Sequence, residues 1–122
     1  MTNQEVFNKV VIHLRKQGCR SRDEGLCRYR DAWGHKCAAG IFIPDDVYDV
    51  DMENKPWGDI IARWPRLHML DIDTNLIMLL QKVHDAFPVE EWETVLEMAR
   101  EVHNLKPVGK EKRFYNARTN RV

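Results

Sequence analysis

The sequence predicts an α+β fold that is mainly helical, with about four helices and a small β-hairpin packed against them. Apolar residues recur at helical spacing in stretches near both ends of the chain. Between them, residues 26–30 alternate apolar and polar side chains, as a half-buried strand does. A chain of 122 residues is long enough for one domain with a hydrophobic core. We therefore expect one globular domain over residues 1–105, followed by a basic tail over residues 106–122.

The first two helices are marked by caps, prolines and apolar stripes. Thr2 or Asn3 can cap the first helix, and Gly18 can end it in a left-handed conformation. Its predicted core stripe is Val6, Phe7, Val10, Val11 and Leu14. Pro56 occupies a favoured first-turn position of the second helix, and Pro65 stops or bends that helix. The apolar positions between these prolines are Trp57, Ile60, Ile61 and Trp64.

The last two helices are expected to form an antiparallel pair. Residues 71–74 supply caps for the third helix, and Pro88 with Glu90 and Glu91 marks the start of the fourth. The third helix has the stripe Leu76, Leu80, Val83 and Phe87, widened by Ile77 and Leu79. The fourth is expected to face the core with Trp92, Val95, Leu96, Ala99 and Val102. About one turn of chain joins them, which favours antiparallel packing.

The hairpin is predicted in the middle of the longest aromatic and β-branched stretch. Residues 26–30 form the first strand, residues 31–35 reverse the chain with Asp31 and Gly34, and residues 36–38 return. Residues 38–43 are small and then apolar, so a buried strand and a short buried helix are both open. Ala38, Ala39 and Gly40 indicate close packing against a neighbouring backbone.

Composition argues against a membrane protein and against a secreted protein. The formal net charge is zero, so no overall field attracts nucleic acid or a membrane surface. The longest apolar run, residues 76–80, is far too short to span a bilayer, and the N-terminus lacks the pattern of a signal peptide. Three cysteines without an export signal favour reduced thiols in a cytosol. We expect a cytoplasmic protein with no membrane partner.

A family resemblance rests on three short motifs. These are Cys27-x-Tyr29-Arg30, Lys36-Cys37-Ala38-x-Gly40 and Ile43-Pro44-Asp45-Asp46-x-Tyr48. Together with the first ten residues and residues 84–92, they resemble a family of small proteins encoded by bacteriophages and prophages. The resemblance covers the chain to about Leu105 and excludes the tail. It implies a phage or prophage origin and a bacterial cytoplasm, and it carries over no catalytic residue.

Zinc and thiol chemistry are minor alternatives. The zinc candidates are Cys19, Cys27, His35 and Cys37. Their spacing does not match familiar zinc modules, and core packing of Cys27 and Cys37 is the better interpretation. Cys37 with His35 as base is a second hypothesis, although no cysteine-enzyme motif surrounds it. We therefore expect no cofactor and no catalytic residue.

Two charged segments suggest other ligands without specifying them. Asp49-x-Asp51-x-Glu53 is similar to the start of a calcium loop, but Asn54 and Ile60 replace its required glycine and glutamate. A solvated acidic loop or a docking surface for a basic partner is favoured. The tail carries Lys112, Arg113 and Tyr115, a combination found in single-strand nucleic-acid binders. Because charge runs are usually solvated, we expect a solubilising tail or one that folds onto the acidic segment.

The favoured function is that of a small phage-type binding protein. It would regulate a bacterial or phage protein, for example by inhibiting a host enzyme or defence complex, and self-association is an alternative. The predicted binding residues are Arg28, Tyr29, Arg30, Trp33, His35, Asp45, Asp46, Tyr48, Lys112, Arg113 and Tyr115. A second hypothesis is a module that binds or hydrolyses a nucleotide through the Arg-, Tyr-, Trp- and His-rich hairpin. Nucleic-acid binding through the tail and a structural or assembly role are further alternatives.

Overall fold

The computed structural model describes residues 1–109, which form five helices and one two-stranded antiparallel sheet. The helices are α1 (Asn3–Gln17), α2 (Trp57–Arg63), α3 (Pro65–His68), α4 (Thr74–Ala86) and α5 (Trp92–Val102). The strands are β1 (Arg22–Asp23) and β2 (Leu26–Cys27), and 3-10 turns occur at Gly40–Phe42, Val50–Met52 and Val89–Glu91. The predicted mainly helical α+β class is confirmed.

The predicted ends of α1 and the predicted cap of α4 are confirmed. Thr2 Oγ1 accepts from the Glu5 amide at 3.1 Å, and Glu5 Oε1 accepts from the Thr2 amide at 2.8 Å. This reciprocal capping box satisfies two amides that a helix N-terminus leaves unpaired. Gly18 ends α1 at φ 68°, and Asp73 accepts from the Leu76 amide at the start of α4.

Helix α4 lies at the centre of the fold, where it contacts α1, α2 and α5. The predicted α1 stripe is buried along its whole length, and so are Leu76, Ile77, Leu80 and Val83 of α4. On α5, Trp92, Leu96 and Ala99 are buried, whereas Val102 is 74% exposed. The prediction that Val102 faces the core is wrong, because this last residue of α5 borders a surface groove beside α4 instead.

The hairpin lies earlier in the chain than predicted. Arg22 pairs with Cys27 and Asp23 with Leu26, so the strands flank the dipeptide Glu24-Gly25. Both turn residues have positive φ, 51° and 82°, which matches the right-handed twist of a two-residue hairpin. Residues 31–35 still reverse the chain, but the strand predicted over residues 36–38 is reduced to one bridge between Arg30 and Lys36. The predicted hairpin position is therefore wrong.

The close backbone approach predicted at Gly40 is confirmed. A Cβ atom at this position would lie 2.2 Å from the carbonyl oxygen of Tyr29. Ala38 and Ala39 are fully buried beside it, and the 3-10 turn Gly40–Phe42 resolves the alternatives for residues 38–43. The small side chains thus bring this turn directly against the segment that follows β2.

The start of the predicted tail contacts α1. The Lys106 amide donates to Gln4 Oε1 at 2.7 Å, and Arg15 Nη1 donates to the Val108 carbonyl oxygen at 2.9 Å. Lys112, Arg113 and Tyr115 lie outside the described residues. Over residues 1–109, no helix is both long and apolar enough to cross a membrane.

Candidate functional site

The loop of residues 31–35, here called the Trp33 loop, is built around the Asp31 carboxylate. Asp31 Oδ1 accepts from the amides of Trp33 and His35, both at 2.9 Å. Asp31 Oδ2 accepts from His35 Nδ1 at 2.7 Å and from the Arg22 amide at 3.3 Å. A backbone hydrogen bond also closes the loop, since the Asp31 amide donates to the His35 carbonyl oxygen at 3.1 Å. One carboxylate therefore fixes both the loop and its position beside β1.

The Asp31 side chain is only 2% exposed, although the loop lies at the surface. Burial raises the pKa of this carboxyl, but the hydrogen bonds from the His35 side chain and from the amides of His35 and Trp33 outweigh burial and lower the pKa. The carboxylate is thus charged when it orders the loop. An ionised carboxylate only accepts hydrogen bonds, so the proton in its contact with His35 is on Nδ1.

Trp33 is 83% exposed, in contrast to the carboxylate that orders its backbone. Its neighbour Gly34 has φ 86°, a conformation that glycine adopts without strain, so the loop can turn immediately after the indole. Of the predicted binding residues, Trp33 presents the most accessible aromatic surface within residues 1–109. The loop holds this large apolar side chain outward on an ordered backbone.

Other predicted binding residues form an internal cluster, here called the Glu53 clasp: Tyr29, Arg30, Tyr48 and Glu53. Glu53 accepts from the amides of Tyr29 and Arg30 at 2.9 and 3.1 Å, and from the Tyr48 hydroxyl at 2.7 Å. The Arg30 guanidinium lies 4.6 Å from the centre of the Tyr48 ring and donates to the Ile43 carbonyl oxygen at 2.6 Å. The clasp joins segments that are more than 20 residues apart in sequence.

The clasp leaves little of its polar surface for a ligand. Glu53 is 7% exposed and Tyr29 is 8% exposed, and the Tyr29 hydroxyl donates to the Lys55 carbonyl oxygen. Burial and the hydrogen bond to Glu53 raise the pKa of Tyr48 to about 12, so its hydroxyl stays a donor. These residues hold the structure together at the position where the sequence suggested recognition.

Two predicted acidic residues form surface ion pairs. Asp45 contacts Arg30 at 2.9 Å, and Asp46 contacts Arg66 at 2.7 Å. Asp45 and Asp46 are both exposed, and ion pairs between exposed side chains contribute little to the stability of a fold. They remain accessible to a partner.

The zinc candidates do not come together as one set. Cys37 is fully buried and its Sγ accepts from the Gly40 amide at 3.3 Å, whereas His35 contacts Asp31. Burial raises the pKa of the Cys37 thiol to about 12, which opposes a role as nucleophile. Within residues 1–109, the metal-type side chains that do meet are Cys27, His84 and Asp85, whose ligand atoms lie within 4.8 Å of one another.

The hydrogen bonds of His84 show why this trio does not suit a metal ion. The Ser21 amide donates to Nε2 at 2.9 Å, so Nε2 carries no proton. The proton is therefore on Nδ1, which donates to Asp85 at 2.6 Å. A metal ion at Nδ1 would displace this proton. Because Nε2 also carries none, the ring would then have to be an imidazolate anion instead of a neutral imidazole. Burial, the charge of Asp85 and a hydrogen bond to Asp85 raise the pKa of the Cys27 thiol. Cys27 and His84 therefore both form hydrogen bonds with Asp85, and the trio is a hydrogen-bonded network around this carboxylate.

A surface pocket of about 500 Å³ adjoins this network, here called the α4 pocket. One wall comes from residues 27–29, another from residues 53–57, and the third from one face of α4. That face consists of Met78, Gln81, Lys82 and Asp85, which recur at the spacing of adjacent helical turns. Pockets of this size are typical of sites for small ligands.

The carboxylates that line the α4 pocket have more hydrogen-bond partners than the cations that line it. Its carboxylates already accept hydrogen bonds from the fold: Glu53 belongs to the clasp, and Asp85 accepts from His84 and from Gln81. Although burial raises the pKa of Asp85, the hydrogen bonds from His84 and Gln81 outweigh it and lower the pKa. Three cations line the same pocket, Arg28, Lys55 and Lys82. The pocket therefore has more free donors than free acceptors.

Arg28 and Tyr29 were predicted from the sequence as binding residues, but most of the residues that line this pocket were not. Lys55, Trp57, Lys82 and Asp85 were not nominated, although the polar side of α4 could have been recognised from its helical spacing. Nothing in the sequence indicates that this side faces Arg28, because their contact depends on the packing of α4 against the segment after β2.

Comparisons with known proteins identify no relative. No protein-family model matches the chain, and no similarity was found to a curated protein or to a solved structure. The resemblance to phage and prophage proteins stays a prediction.

Proposed function

We propose that this chain is a binding protein that recognises another protein through the Trp33 loop. The observation that carries this proposal is the contrast within the loop: an indole that is 83% exposed on a backbone fixed by a carboxylate that is 2% exposed. A tryptophan held in place before binding loses little conformational freedom when a partner covers it. Tryptophan is also among the residues that most often dominate the binding energy of protein interfaces.

A protein suits this surface better than a nucleic acid. The formal net charge of the chain is zero, so the long-range attraction that supports nucleic-acid binding is missing. The resemblance to phage and prophage proteins supports a bacterial or phage protein as the partner, met in the bacterial cytoplasm. Inhibition of a host enzyme or defence complex is the regulatory action that such binding would serve.

Several observations favour binding over catalysis. The Cys37 thiol is fully buried with a raised pKa, and Cys27 lies beside the charged Asp85, which also raises its pKa. Both ring nitrogens of His84 are engaged in hydrogen bonds. The side chains of Cys27, Cys37 and His84 are thus occupied in holding the fold.

The proposal is tested by comparative co-purification from bacterial cytosol under native conditions, with quantitative mass spectrometry. The variants are Trp33→Ala and, as the matched control, Met69→Ala, since Met69 is 78% exposed and follows α3 instead of belonging to the Trp33 loop. We expect at least one protein to be retained by the native chain and by Met69→Ala and to be lost from Trp33→Ala. The same set of retained proteins in all three samples would contradict the proposal.

A second copy of the chain is the alternative partner. Sedimentation of the native chain and of Trp33→Ala distinguishes this case, because loss of a dimer in the variant would identify self-association through the same loop. A monomer in both samples, together with a lost protein in the co-purification, would support a different protein as partner.

A further inference from the structure

The α4 pocket contains polar groups that the fold itself does not satisfy. Arg28 Nε and Trp57 Nε1 are buried and have no hydrogen-bond acceptor among the described residues. Both side chains line the pocket, and Trp57 is only 3% exposed. Because both nitrogens are shielded, as are Arg20 Nε and Arg30 Nε elsewhere in the fold, a ligand acceptor would be bound by the accessible charged groups of the pocket.

The cations of the pocket are free to meet such an acceptor. Over residues 1–109, the side chains of Arg28 and Lys82 form neither an ion pair nor a hydrogen bond. Within the same residues, Lys55 Nζ donates only to the backbone oxygen of Asp51. The carboxylates at the pocket already accept several hydrogen bonds each, so they compete weakly for these cations. The lining of the pocket therefore carries three cations against two carboxylates, an excess of one positive charge.

We propose that the α4 pocket binds a small phosphomonoester, whose phosphate is held by Arg28, Lys55 and Lys82. A guanidinium can form two parallel hydrogen bonds with the oxygens of one phosphate. The two lysines add positive charge that balances the remaining negative charge of the phosphomonoester. A volume of about 500 Å³ also leaves room for the organic part of the ligand, beside the half-exposed side chain of Met78. This proposal is independent of the Trp33 loop.

The pocket recognises the phosphate rather than a nucleobase. Stacking requires an accessible ring face, but the rings of Tyr29 and Trp57 are 8% and 3% exposed and are covered by the core. A sugar or glycerol phosphate should therefore bind about as well as a nucleotide. This differs from the nucleotide site at the hairpin that was the second hypothesis from the sequence.

The test is isothermal titration calorimetry on the full chain with defined probes. These are glycerol 3-phosphate, adenosine 5′-monophosphate, inorganic phosphate, adenosine and succinate. We expect both phosphomonoesters to bind with Kd values below about 1 mM and within about ten-fold of each other, with inorganic phosphate weaker. Adenosine and succinate should give no measurable heat of binding. Binding of adenosine as tight as its monophosphate, of succinate as tight as glycerol 3-phosphate, or no binding of either phosphomonoester would overturn the proposal.

Matched charge variants locate the site. Lys82→Gln removes an exposed charge of the pocket, and Lys16→Gln removes an exposed charge of α1 far along the chain. We expect Lys82→Gln and Arg28→Gln each to weaken binding about ten-fold or more, and Lys16→Gln to leave it unchanged. Because Arg28 is partly buried, a thermal unfolding scan accompanies its variant, and Lys82→Gln decides the outcome if Arg28→Gln unfolds early. Equal weakening by Lys16→Gln and Lys82→Gln would show a general charge effect and overturn the assignment.

Discussion

Two carboxylates order two stretches of backbone in this protein, and they do so with opposite consequences. Glu53 lies in the interior and joins amides of residues 29 and 30 to a tyrosine at position 48, so its hydrogen bonds tie distant segments together. Asp31 binds amides within nine residues of itself and leaves the indole between them exposed.

The difference separates stability from recognition. The Glu53 carboxylate binds groups that lie within the fold, whereas the Asp31 carboxylate orders a loop that holds one large apolar side chain in solvent. Changes in the clasp should therefore unfold the protein, and changes at Trp33 should alter what it binds.

Glu53→Ala should destabilise the protein by about 3 kcal/mol or more, because it leaves the amides of residues 29 and 30 and the Tyr48 hydroxyl without their acceptor. Urea unfolding gives the free-energy change. Glu90→Ala is the control, since Glu90 is exposed and its substitution should change stability by less than about 0.5 kcal/mol. Equal midpoints for the two variants would show that the clasp contributes nothing.

Gly40→Ala should destabilise the protein by about 2 kcal/mol, because the added Cβ would lie 2.2 Å from the Tyr29 carbonyl oxygen and must displace the backbone. Gly58→Ala is the matched control: nothing lies within 4 Å of its Cβ, and alanine favours helix α2. The control should be neutral or stabilising by up to about 1 kcal/mol. Thermal unfolding of the two variants measures the difference, and similar losses in both would refute the close approach.

High pH should weaken the packing beneath the clasp. Burial raises the pKa of Cys37 from 9.0 to about 12, so the folded state keeps this proton more tightly than the unfolded chain does. Its contribution to stability is complete below pH 9 and is lost as the pH rises from 9 towards 12. The free energy of unfolding, measured at intervals across this range, should fall less steeply for Cys37→Ala. Parallel curves would show that Cys37 ionises equally in both states.

Low pH should act on the Trp33 loop instead. Burial alone would raise the pKa of Asp31, but its hydrogen bonds lower it below the ordinary value of 3.8. The stability that Asp31 contributes is therefore present above pH 3.8 and is lost as the pH falls through the lowered pKa. Asp31→Asn should be less stable than the native chain at pH 7 by about 1 kcal/mol, with the gap closing in acid. A gap that does not depend on pH would contradict the assignment of charge to Asp31.

Much of the fold followed from local sequence signals. The stripe of α1, its Thr2 cap and the small residues around Gly40 were all predicted, because each depends on spacing or side-chain size within a few residues. The hairpin was placed wrongly because Glu24-Gly25 is a weaker turn signal than Asn-Gly, and the polar residues around it resembled a loop.

The candidate sites followed from sequence only in part. Trp33 was nominated from its residue type, but its exposure depends on the four hydrogen bonds of Asp31. Tyr29 and Tyr48 were nominated on the same grounds and are engaged in the clasp. The α4 pocket combines segments 27–29, 53–57 and 78–85, and no local pattern reports that these segments meet.

Trp33→Ala should have the smallest effect on stability and the largest on recognition. Because the indole is 83% exposed, its removal should change the free energy of unfolding by less than about 0.5 kcal/mol. The most direct measurement is the affinity for the co-purified protein of the native chain, Trp33→Ala and Met69→Ala, alongside their unfolding free energies. The separation of stability from recognition predicts about 30-fold weaker binding by Trp33→Ala at unchanged stability, and native affinity for Met69→Ala. Native affinity in Trp33→Ala, or a loss of affinity that follows a loss of stability, would contradict it.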